Sequence, residues 1–209
     1  MTRMGGAIKL TGRAPRIILA SRSPRRRALL AEVVDSFEVV EPDGEEEAPP
    51  GATPEETAAA RALAKARSAA ASVESGIIIG ADTVVAKGRE TIGKPASPED
   101  AARILRSLSG TRHRVLTAVA LIDAASRRER IAIASTVVEM ASLSEEDIAA
   151  YVAGGEPMGK AGAYAIQRTG DRFARVLEGS FSNVVGLPLE LLREMIDSMI
   201  AEGERDVQG

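Results

Sequence analysis

Signals that begin a helix recur along the chain and alternate with short apolar runs rich in β-branched residues. A helix start is indicated where Ser or Thr precedes Pro or acidic residues, because the hydroxyl caps free backbone N–H groups and Pro suits the first turn. These segments are Ser23-Pro24, Thr53-Pro54-Glu55-Glu56, Ser97-Pro98-Glu99-Asp100 and Ser144–Asp147. The alternation restricts the chain to an α/β fold with helices flanking a sheet.

The apolar runs predict a mixed, bent β-sheet rather than an all-parallel one. Polar turns at Lys87-Gly88 and Ala124–Arg128 join neighbouring runs as hairpins do. A bend is expected near Asp82, and the Ala-rich helix after Thr53 is expected to end near Ser75. The predicted strands are Ile17–Ala20, Phe37–Glu41, Gly76–Ala86, Glu90–Ile92, His113–Ile122, Arg130–Met140, Ala163–Gln167 and Phe173–Leu177, before a last helix over Pro188–Ala201.

The length and the composition exclude several classes of protein. The 209 residues fit a single domain over 16–201, with flexible extensions over 1–15 and 202–209. A net charge of −3 and 2% aromatic residues argue against stable nucleic-acid binding, which needs basic surfaces or stacking platforms. The lack of cysteine excludes thiolate zinc sites and suits the cytoplasm. No apolar run of about 18 residues occurs, so no membrane span is expected.

Three arginines lie in the first turn of the helix that begins at Ser23-Pro24. The helix dipole disfavours cations at this end, so the segment Ser21–Arg27 suggests a bound anion. Backbone N–H groups, the hydroxyls of Ser21 and Ser23, and guanidinium groups can all bind phosphate oxygens. The alternative is a solvated basic turn paired with the acidic loop at Glu45–Glu47.

A lone carboxylate, Asp82, interrupts the apolar residues of the predicted strand Gly76–Ala86. Burial of an unpaired carboxylate is costly, so Asp82 is expected to be paired, to bind metal, or to face a cleft. The alternative is a structural Asp bonded to backbone N–H groups. Lys65 and Lys94 are candidate point charges for phosphate, or ordinary surface lysines.

Two loops complete the set of candidates. Glycines around Lys160 permit close backbone approach, and Gln167 offers both a donor and an acceptor to a base edge. An ordinary Gly-containing strand and loop is the alternative. In the acidic loop 41–47, one carboxylate is a candidate to help Asp82 hold a divalent cation, and a solvated loop is the alternative.

The ordered set of motifs resembles the Maf family of nucleoside triphosphate pyrophosphatases over about residues 16–195. The matching segments are Ser-x-Ser-Pro-Arg-Arg at 21–26, Gly-Ala-Asp-Thr at 80–83, Gly-Lys-Pro at 93–95, Leu-Ser-Gly at 108–110, Lys-Ala-Gly-Ala-Tyr at 160–164 with Ile166-Gln167, and Gly-Ser-Phe-Ser-Asn-Val-Val-Gly-Leu-Pro at 179–188. The resemblance implies a Maf-like catalytic domain with a deep cleft between two lobes, usually in a homodimer.

The resemblance also implies a reaction, which is hydrolysis of a nucleoside triphosphate to the monophosphate and pyrophosphate, assisted by Mg²⁺ or Mn²⁺. Asp82 matches the proposed general base and metal ligand, and Glu46 is chosen as the second metal-side acid. The version of the 160–167 segment resembles the branch that acts on dTTP and UTP. Residues matched to positions that contact the triphosphate or support the site are Arg25, Arg26, Lys65 and Lys94, and those matched to nucleobase choice are Arg25, Thr83 and Gln167. Lys160 is a further candidate substrate-binding residue.

Alternatives to this function are the same chemistry on methylated GTP, and a non-catalytic nucleotide-binding regulator of cell division. Departures from the family pattern at Arg22, Gly159, Ala165 and Arg168 cluster at the nucleobase end. The reaction type is therefore better defined than the base. The expected role is cleaning of the nucleotide pool, with a link to division arrest and action on modified pyrimidine nucleotides as further expectations.

Overall fold

The computed structural model describes residues 15–43, 48–166 and 172–208, with the side chains described up to residue 205. The strands are β1 Ile17–Ala20, β2 Glu38–Val40, β3 Ile77–Lys87, β4 Glu90–Ile92, β5 Arg112–Asp123, β6 Glu129–Met140 and β7 Ala174–Glu178. The helices are α1 Pro24–Ala31, α2 Pro54–Ala70, α3 Pro98–Leu108, α4 Glu145–Ala153, α5 Phe181–Val185 and α6 Leu189–Gln208, with a 3-10 turn at Ala161–Ala163.

The strands form one mixed sheet in the order β2-β1-β3-β5-β6-β7, with β4 paired to β3. Strand β1 is parallel to β2 and β3, and the other pairs are antiparallel. This confirms the predicted mixed α/β class. Among the described residues, no helix combines the length and the apolar character needed to cross a membrane.

Helix α2 lies very close to the sheet because the residues between them are small. Ala58, Ala62 and Ala66 are fully buried against strand residues that include Ile78. At Gly80 the approach is so close that a Cβ atom would lie 2.3 Å from the carbonyl oxygen of Ala62. Helices α1, α3, α4 and α6 contribute to the core on the opposite face.

The predicted helix starts are confirmed at atomic detail. The hydroxyls of Ser23, Ser97 and Ser144 each accept the backbone N–H three residues later. Thr53 does the same, and Glu56 bonds back to the Thr53 N–H to complete a capping box. These caps fix where α1, α2, α3 and α4 begin.

Several predicted boundaries are wrong. Ala163–Gln167 was expected to be a strand, but Gly162 and Ala163 have φ angles of +72° and +58°, which an extended strand does not allow. Helix α2 ends at Ala70 rather than near Ser75, and α6 continues past Ala201 to Gln208. Glu202, in the predicted flexible tail, forms ion pairs with Arg128 and Arg130.

Candidate active site

Along one edge of β3, a gap in the strand pairing separates the part that pairs with β1 from the part that pairs with β4. On one side β3 pairs continuously with β5 from Ile77 to Ala86, so the strand is not interrupted at Asp82. On the other side β1 pairs with Ile77–Gly80 and β4 with Val85–Lys87, which leaves residues 81–84 without a strand partner. The gap contains Asp82 and Thr83, two residues of the Gly-Ala-Asp-Thr motif.

Asp82 is paired with a lysine from the helix that covers it. The Nζ of Lys65, on α2, donates a hydrogen bond to Oδ1 of Asp82, and Asp82 is only 9% exposed. Its Oδ2 is buried and has no hydrogen-bond partner in the described residues. The structure therefore brings these two predicted site residues together and leaves one carboxylate oxygen without a hydrogen-bond partner among the described residues.

Further cations surround this pair. Burial lowers the pKa of Lys65, Asp82 opposes that shift, and the nearby charges of Arg26 and Lys94 lower it further. Burial likewise lowers the pKa of Arg26, and Asp82 again opposes the shift. One carboxylate thus lies among three cationic side chains, which is an environment suited to a polyanion.

Arg26, in the Ser21–Arg27 segment, reaches the gap in β3 because β1 ends beside Gly80 and the chain then turns into α1. Arg26 Nε donates to the carbonyl oxygen of Gly186 at 2.8 Å, and its Nη2 donates to Thr83 Oγ1 at 3.1 Å. Arg25 is exposed. Arg27 lies 3.4 Å from Glu41. The residues Glu45–Glu47, which the alternative interpretation pairs with this basic turn, lie outside the described residues.

The two serine hydroxyls of this segment both accept backbone N–H groups. Ser21 Oγ accepts from the Ser23 N–H at 3.1 Å, and Ser23 Oγ accepts from the Arg26 N–H at 3.4 Å. Because a hydroxyl that accepts still has its own hydrogen, Ser21 and Ser23 can each donate to an anion.

A buried polar chain behind Thr83 was not found by sequence reasoning. Thr83 Oγ1 lies 2.9 Å from Thr117 Oγ1, which lies 3.0 Å from the carbonyl oxygen of Asn183. Thr117 and Asn183 are completely buried. Asn183 belongs to the motif at 179–188, which was a signal for the family but not for this contact.

The 160–166 segment is attached to the core by hydrogen bonds. Gly162 N–H donates to the carbonyl oxygen of Gly93 at 3.1 Å, which places the turn carrying Lys160 against the residue before Lys94. Lys160 itself donates to the carbonyl oxygen of Glu156. The hydroxyl of Tyr164 lies 2.8 Å from Nε2 of His113, which is buried on β5.

An open pocket of about 450 Å³ adjoins this arrangement. It lies between residues 48–52, the α2 residues Thr57 and Arg61, and the segment that contains Thr91 and Gly93. Thr57, Arg61 and Lys65 are spaced four residues apart and therefore lie on one face of α2. The lining of the pocket includes Arg61, one turn before Lys65 on α2, and Gly93, the residue before Lys94, but not Lys65 or Lys94 themselves.

Two predicted site residues, Glu46 and Gln167, lie outside the described residues. Within the described residues, no group of three or more His, Cys, Asp or Glu side chains forms a metal site. The free Oδ2 of Asp82 is nevertheless a ligand of the type that Mg²⁺ or Mn²⁺ takes, and Mg²⁺ commonly uses only one or two carboxylates with substrate phosphates.

Comparison with known proteins shows the family of the chain. A family model described as Maf-like protein matches residues 16–199. A dTTP/UTP pyrophosphatase of Pelotomaculum thermopropionicum is 48% identical over 180 residues, which cover 86% of this chain and 94% of the relative. Relatives with the same name from Gloeobacter violaceus and Methanosarcina barkeri are each 44% identical over 181 residues, which cover 87% and 86% of this chain and 94% and 92% of the relatives. With its motifs at 21–26, 80–83 and 179–188 meeting at one gap in the sheet and its match extending over almost the whole domain, the chain belongs to the Maf family.

Proposed function

We propose that this protein hydrolyses dTTP and UTP to the nucleoside monophosphate and pyrophosphate. The observation that carries the proposal is Asp82, which is paired through one oxygen to Lys65 and has its second oxygen buried without a partner in the described residues. A site that only bound a polyphosphate would gain nothing from a carboxylate beside it. The names of the relatives supply the nucleotide class.

In this proposal the cations and hydroxyls of the site bind the triphosphate. Arg26 and Lys65 come from two different helices and meet at the gap in β3, so they can contact different phosphates. Ser21 and Ser23 donate their free hydroxyl hydrogens at the start of α1, where the helix dipole also favours negative charge. The remaining predicted phosphate ligands are Arg25 and Lys94, and Lys160 is a further predicted substrate-binding residue.

Asp82 is proposed to orient the attacking water and accept its proton through Oδ2. Water then attacks the α-phosphorus. The bond from that phosphorus to the oxygen that bridges it to the β-phosphorus breaks, and pyrophosphate leaves. Most of the acceleration comes from positioning and from stabilisation of charge by the surrounding cations. Lys65 holds Oδ1, so the carboxylate cannot rotate freely and Oδ2 keeps its direction.

The Oδ2 atom of Asp82 is also the proposed ligand for Mg²⁺ or Mn²⁺, with Glu46 as the second carboxylate. When bound, such an ion neutralises phosphate charge and lowers the pKa of coordinated water. Arg25, Thr83 and Gln167 are proposed to contribute to nucleobase choice. A homodimer in the cytoplasm, engaged in nucleotide-pool cleaning, completes the proposal, and the absence of cysteine fits that location.

The test is pyrophosphate release from a panel of dTTP, UTP, dCTP, GTP and 7-methyl-GTP, with Mg²⁺ and with Mn²⁺. We expect dTTP and UTP to be the best substrates. Asp82→Asn keeps the shape of the side chain and is expected to lower kcat at least 100-fold. Asp35→Asn, at an exposed position, makes the same chemical change outside the site and serves as the matched control.

Three outcomes would contradict the proposal. Normal turnover by Asp82→Asn would remove the role of that residue. Preference for 7-methyl-GTP would move the protein to the other branch of the family. Tight nucleotide binding without pyrophosphate release from any member of the panel would support the non-catalytic regulator.

A further inference from the structure

The guanidinium of Arg26 is attached to a line of hydrogen bonds that runs from the site into the core. Its Nη2 atom lies 3.1 Å from Thr83 Oγ1, which lies 2.9 Å from Thr117 Oγ1. Thr117 Oγ1 in turn lies 3.0 Å from the carbonyl oxygen of Asn183. The line crosses from α1 to β3, then to β5, and ends on α5.

The direction of every hydrogen in this line follows from chemistry. A carbonyl oxygen can only accept, and two oxygens 3.0 Å apart with no hydrogen between them would repel, so Thr117 donates to Asn183. Thr117 has then used its only hydrogen, and Thr83 must donate to Thr117. The oxygen of Thr83 is left with lone pairs, which accept the hydrogen from Arg26.

We propose that Thr83, Thr117 and Asn183 form a positioning chain for Arg26, and that the Thr83 hydroxyl is an acceptor that gives no hydrogen to substrate phosphate. The inference rests on the proposed function, because it assumes that Arg26 binds the triphosphate. Thr117 and Asn183 touch no reacting atom and act only through the orientation of Arg26. Thr117 lies outside all the sequence motifs named above.

The second anchor of Arg26 shows why orientation matters. Nε donates to the carbonyl oxygen of Gly186, directly after α5, at 2.8 Å. Together with the bond to Thr83, this leaves both hydrogens of Nη1 and one of Nη2 for the ligand. A guanidinium fixed at two atoms presents its remaining donors in a defined plane, as bidentate phosphate binding requires.

Helix α5 is itself fixed to the sheet by Asn183. The side-chain Nδ2 donates to the carbonyl oxygen of Val115 at 2.9 Å and to Thr136 Oγ1 at 2.8 Å. Both anchors of Arg26 therefore depend on one short helix whose position is set by β5 and β6. The motif at 179–188 thereby acquires a function in holding the arginine of the motif at 21–26.

The experiment is a double-mutant cycle between Thr117 and Arg26. Thr117→Val keeps the shape but removes the acceptor for Thr83, and we expect kcat/KM for dTTP to fall roughly tenfold, as for the loss of a hydrogen bond to a charged group. Thr117→Ser keeps the hydroxyl and should stay within about twofold of the wild type. In an Arg26→Lys background, Thr117→Val should change kcat/KM less than about twofold, since no fork remains to be oriented.

Controls separate positioning from stability. Thr111→Val removes another hydroxyl that donates to a backbone carbonyl, that of Leu108 at 2.7 Å, in the turn between α3 and β5. Each variant is also tested by thermal unfolding without nucleotide. If Thr117→Val does not fold, Thr83→Val breaks the same line from the partly exposed end. It is expected to lose at least as much activity, because Thr83 is also proposed to contribute to nucleobase choice, and to show the same coupling to Arg26.

Specific results would overturn the positioning chain. These are an equal fold loss from Thr117→Val in both backgrounds, no loss at all, or failure of Thr117→Ser to restore activity. If the wild type binds dTTP but releases no pyrophosphate, the proposed function fails, and the same cycle measured on dTTP affinity by calorimetry tests the chain. If the wild type neither binds nor hydrolyses dTTP, both are overturned.

Discussion

Lys65 and Asp82 form an ion pair that uses only one of the two carboxylate oxygens. The other oxygen, Oδ2, is buried and has no hydrogen-bond partner in the described part of the chain. A buried carboxylate oxygen without a partner is destabilising. We therefore expect Oδ2 to gain its partner, water or a divalent cation, in the complex with substrate. The pair connects folding to chemistry, because Lys65 belongs to the helix that covers the sheet.

Lys65→Met is expected to affect both stability and activity. It leaves the charge of Asp82 without its hydrogen-bonded partner, and we expect a loss of about 2 kcal/mol in the free energy of unfolding, less than for a fully enclosed pair because Lys65 is partly exposed. Loss of one stabilising cation should lower kcat/KM for dTTP roughly 100-fold.

The stability effect is checked by urea unfolding of Lys65→Met, Asp82→Asn and the double variant. Since the double variant contains no unpaired charge, its destabilisation should be smaller than the sum of the single effects. Lys65→Arg serves as the charge-preserving control. Strict additivity would show that the pair contributes no coupling energy.

His113 is expected to make stability depend on pH below neutrality. Burial, with a smaller effect of Lys87, lowers the pKa of His113 from 6.5 to about 4. Between these values the unfolded chain binds a proton that the folded chain does not, so the free energy of unfolding decreases as the pH falls. The decrease from about pH 7.5 to about pH 5 is expected to be about 2 kcal/mol from this residue.

The measurement compares urea unfolding of the wild type and His113→Gln at those two pH values. Gln remains neutral and can still bond to the hydroxyl of Tyr164, so this part of the pH dependence should disappear. The carboxyl groups that titrate in this range are common to both proteins, so their contribution cancels in the comparison. An identical pH dependence in the two proteins would contradict the assignment.

Removal of divalent cations is expected to abolish pyrophosphate release. With EDTA the phosphates lose their counter-ion, and addition of Mg²⁺ or Mn²⁺ should restore turnover. Asp35→Asn should need the same metal concentration as the wild type, because its exposed carboxylate lies outside the site. Full activity in EDTA would exclude a required ion and leave Asp82 as a proton acceptor alone.

Gly80→Ala is expected to damage the site from a distance. The added Cβ would lie 2.3 Å from the carbonyl oxygen of Ala62 and 2.8 Å from the backbone nitrogen of Ala66, so α2 must move away from β3. We expect a loss of about 2 kcal/mol in the free energy of unfolding, together with reduced kcat/KM because Lys65 moves with the helix.

Gly203→Ala is the matched control for Gly80→Ala. Its Cβ meets no atom within 4 Å, and it lies in α6, where Ala is the better helix former by roughly 1 kcal/mol. It should leave activity unchanged and should not lower stability. Equal effects of the two substitutions would contradict the steric explanation.

Much of the fold could be predicted because its signals are local. The cap at Ser23 and the capping box at Thr53 depend on residues three positions apart, and the apolar runs gave most strands. The turn at Ala161–Ala163 was missed because its composition resembles a strand, while the positive φ values of Gly162 and Ala163 come from tertiary contacts. A hydrogen bond from Gly162 to Gly93 holds it there, and Val85 lies so close that a Cβ atom at position 162 would be 2.8 Å from its side chain.

The site residues could be nominated from sequence, but their partners could not. Asp82 stood out as a carboxylate in an apolar strand, yet its pairing with Lys65 depends on how α2 lies over β3. Thr117 and Asn183 gave no signal of a link to Arg26, because 34 residues separate Thr83 from Thr117 and 66 separate Thr117 from Asn183. Such contacts follow from strand register and helix placement, which are long-range properties.

The packing of alanine against glycine between α2 and β3 makes the position of the helix sensitive to side-chain size at this contact. Where Gly80 meets Ala62 and Ala66, the contact contains no flexible side chain that could absorb a change in thickness. A larger side chain at this contact would therefore move α2 away from β3, and the ammonium group of Lys65 would move with the helix. Substitutions that enlarge this part of the core to raise thermal stability would therefore lower activity. The core on the opposite face of the sheet contains larger side chains, which can rearrange around a substitution.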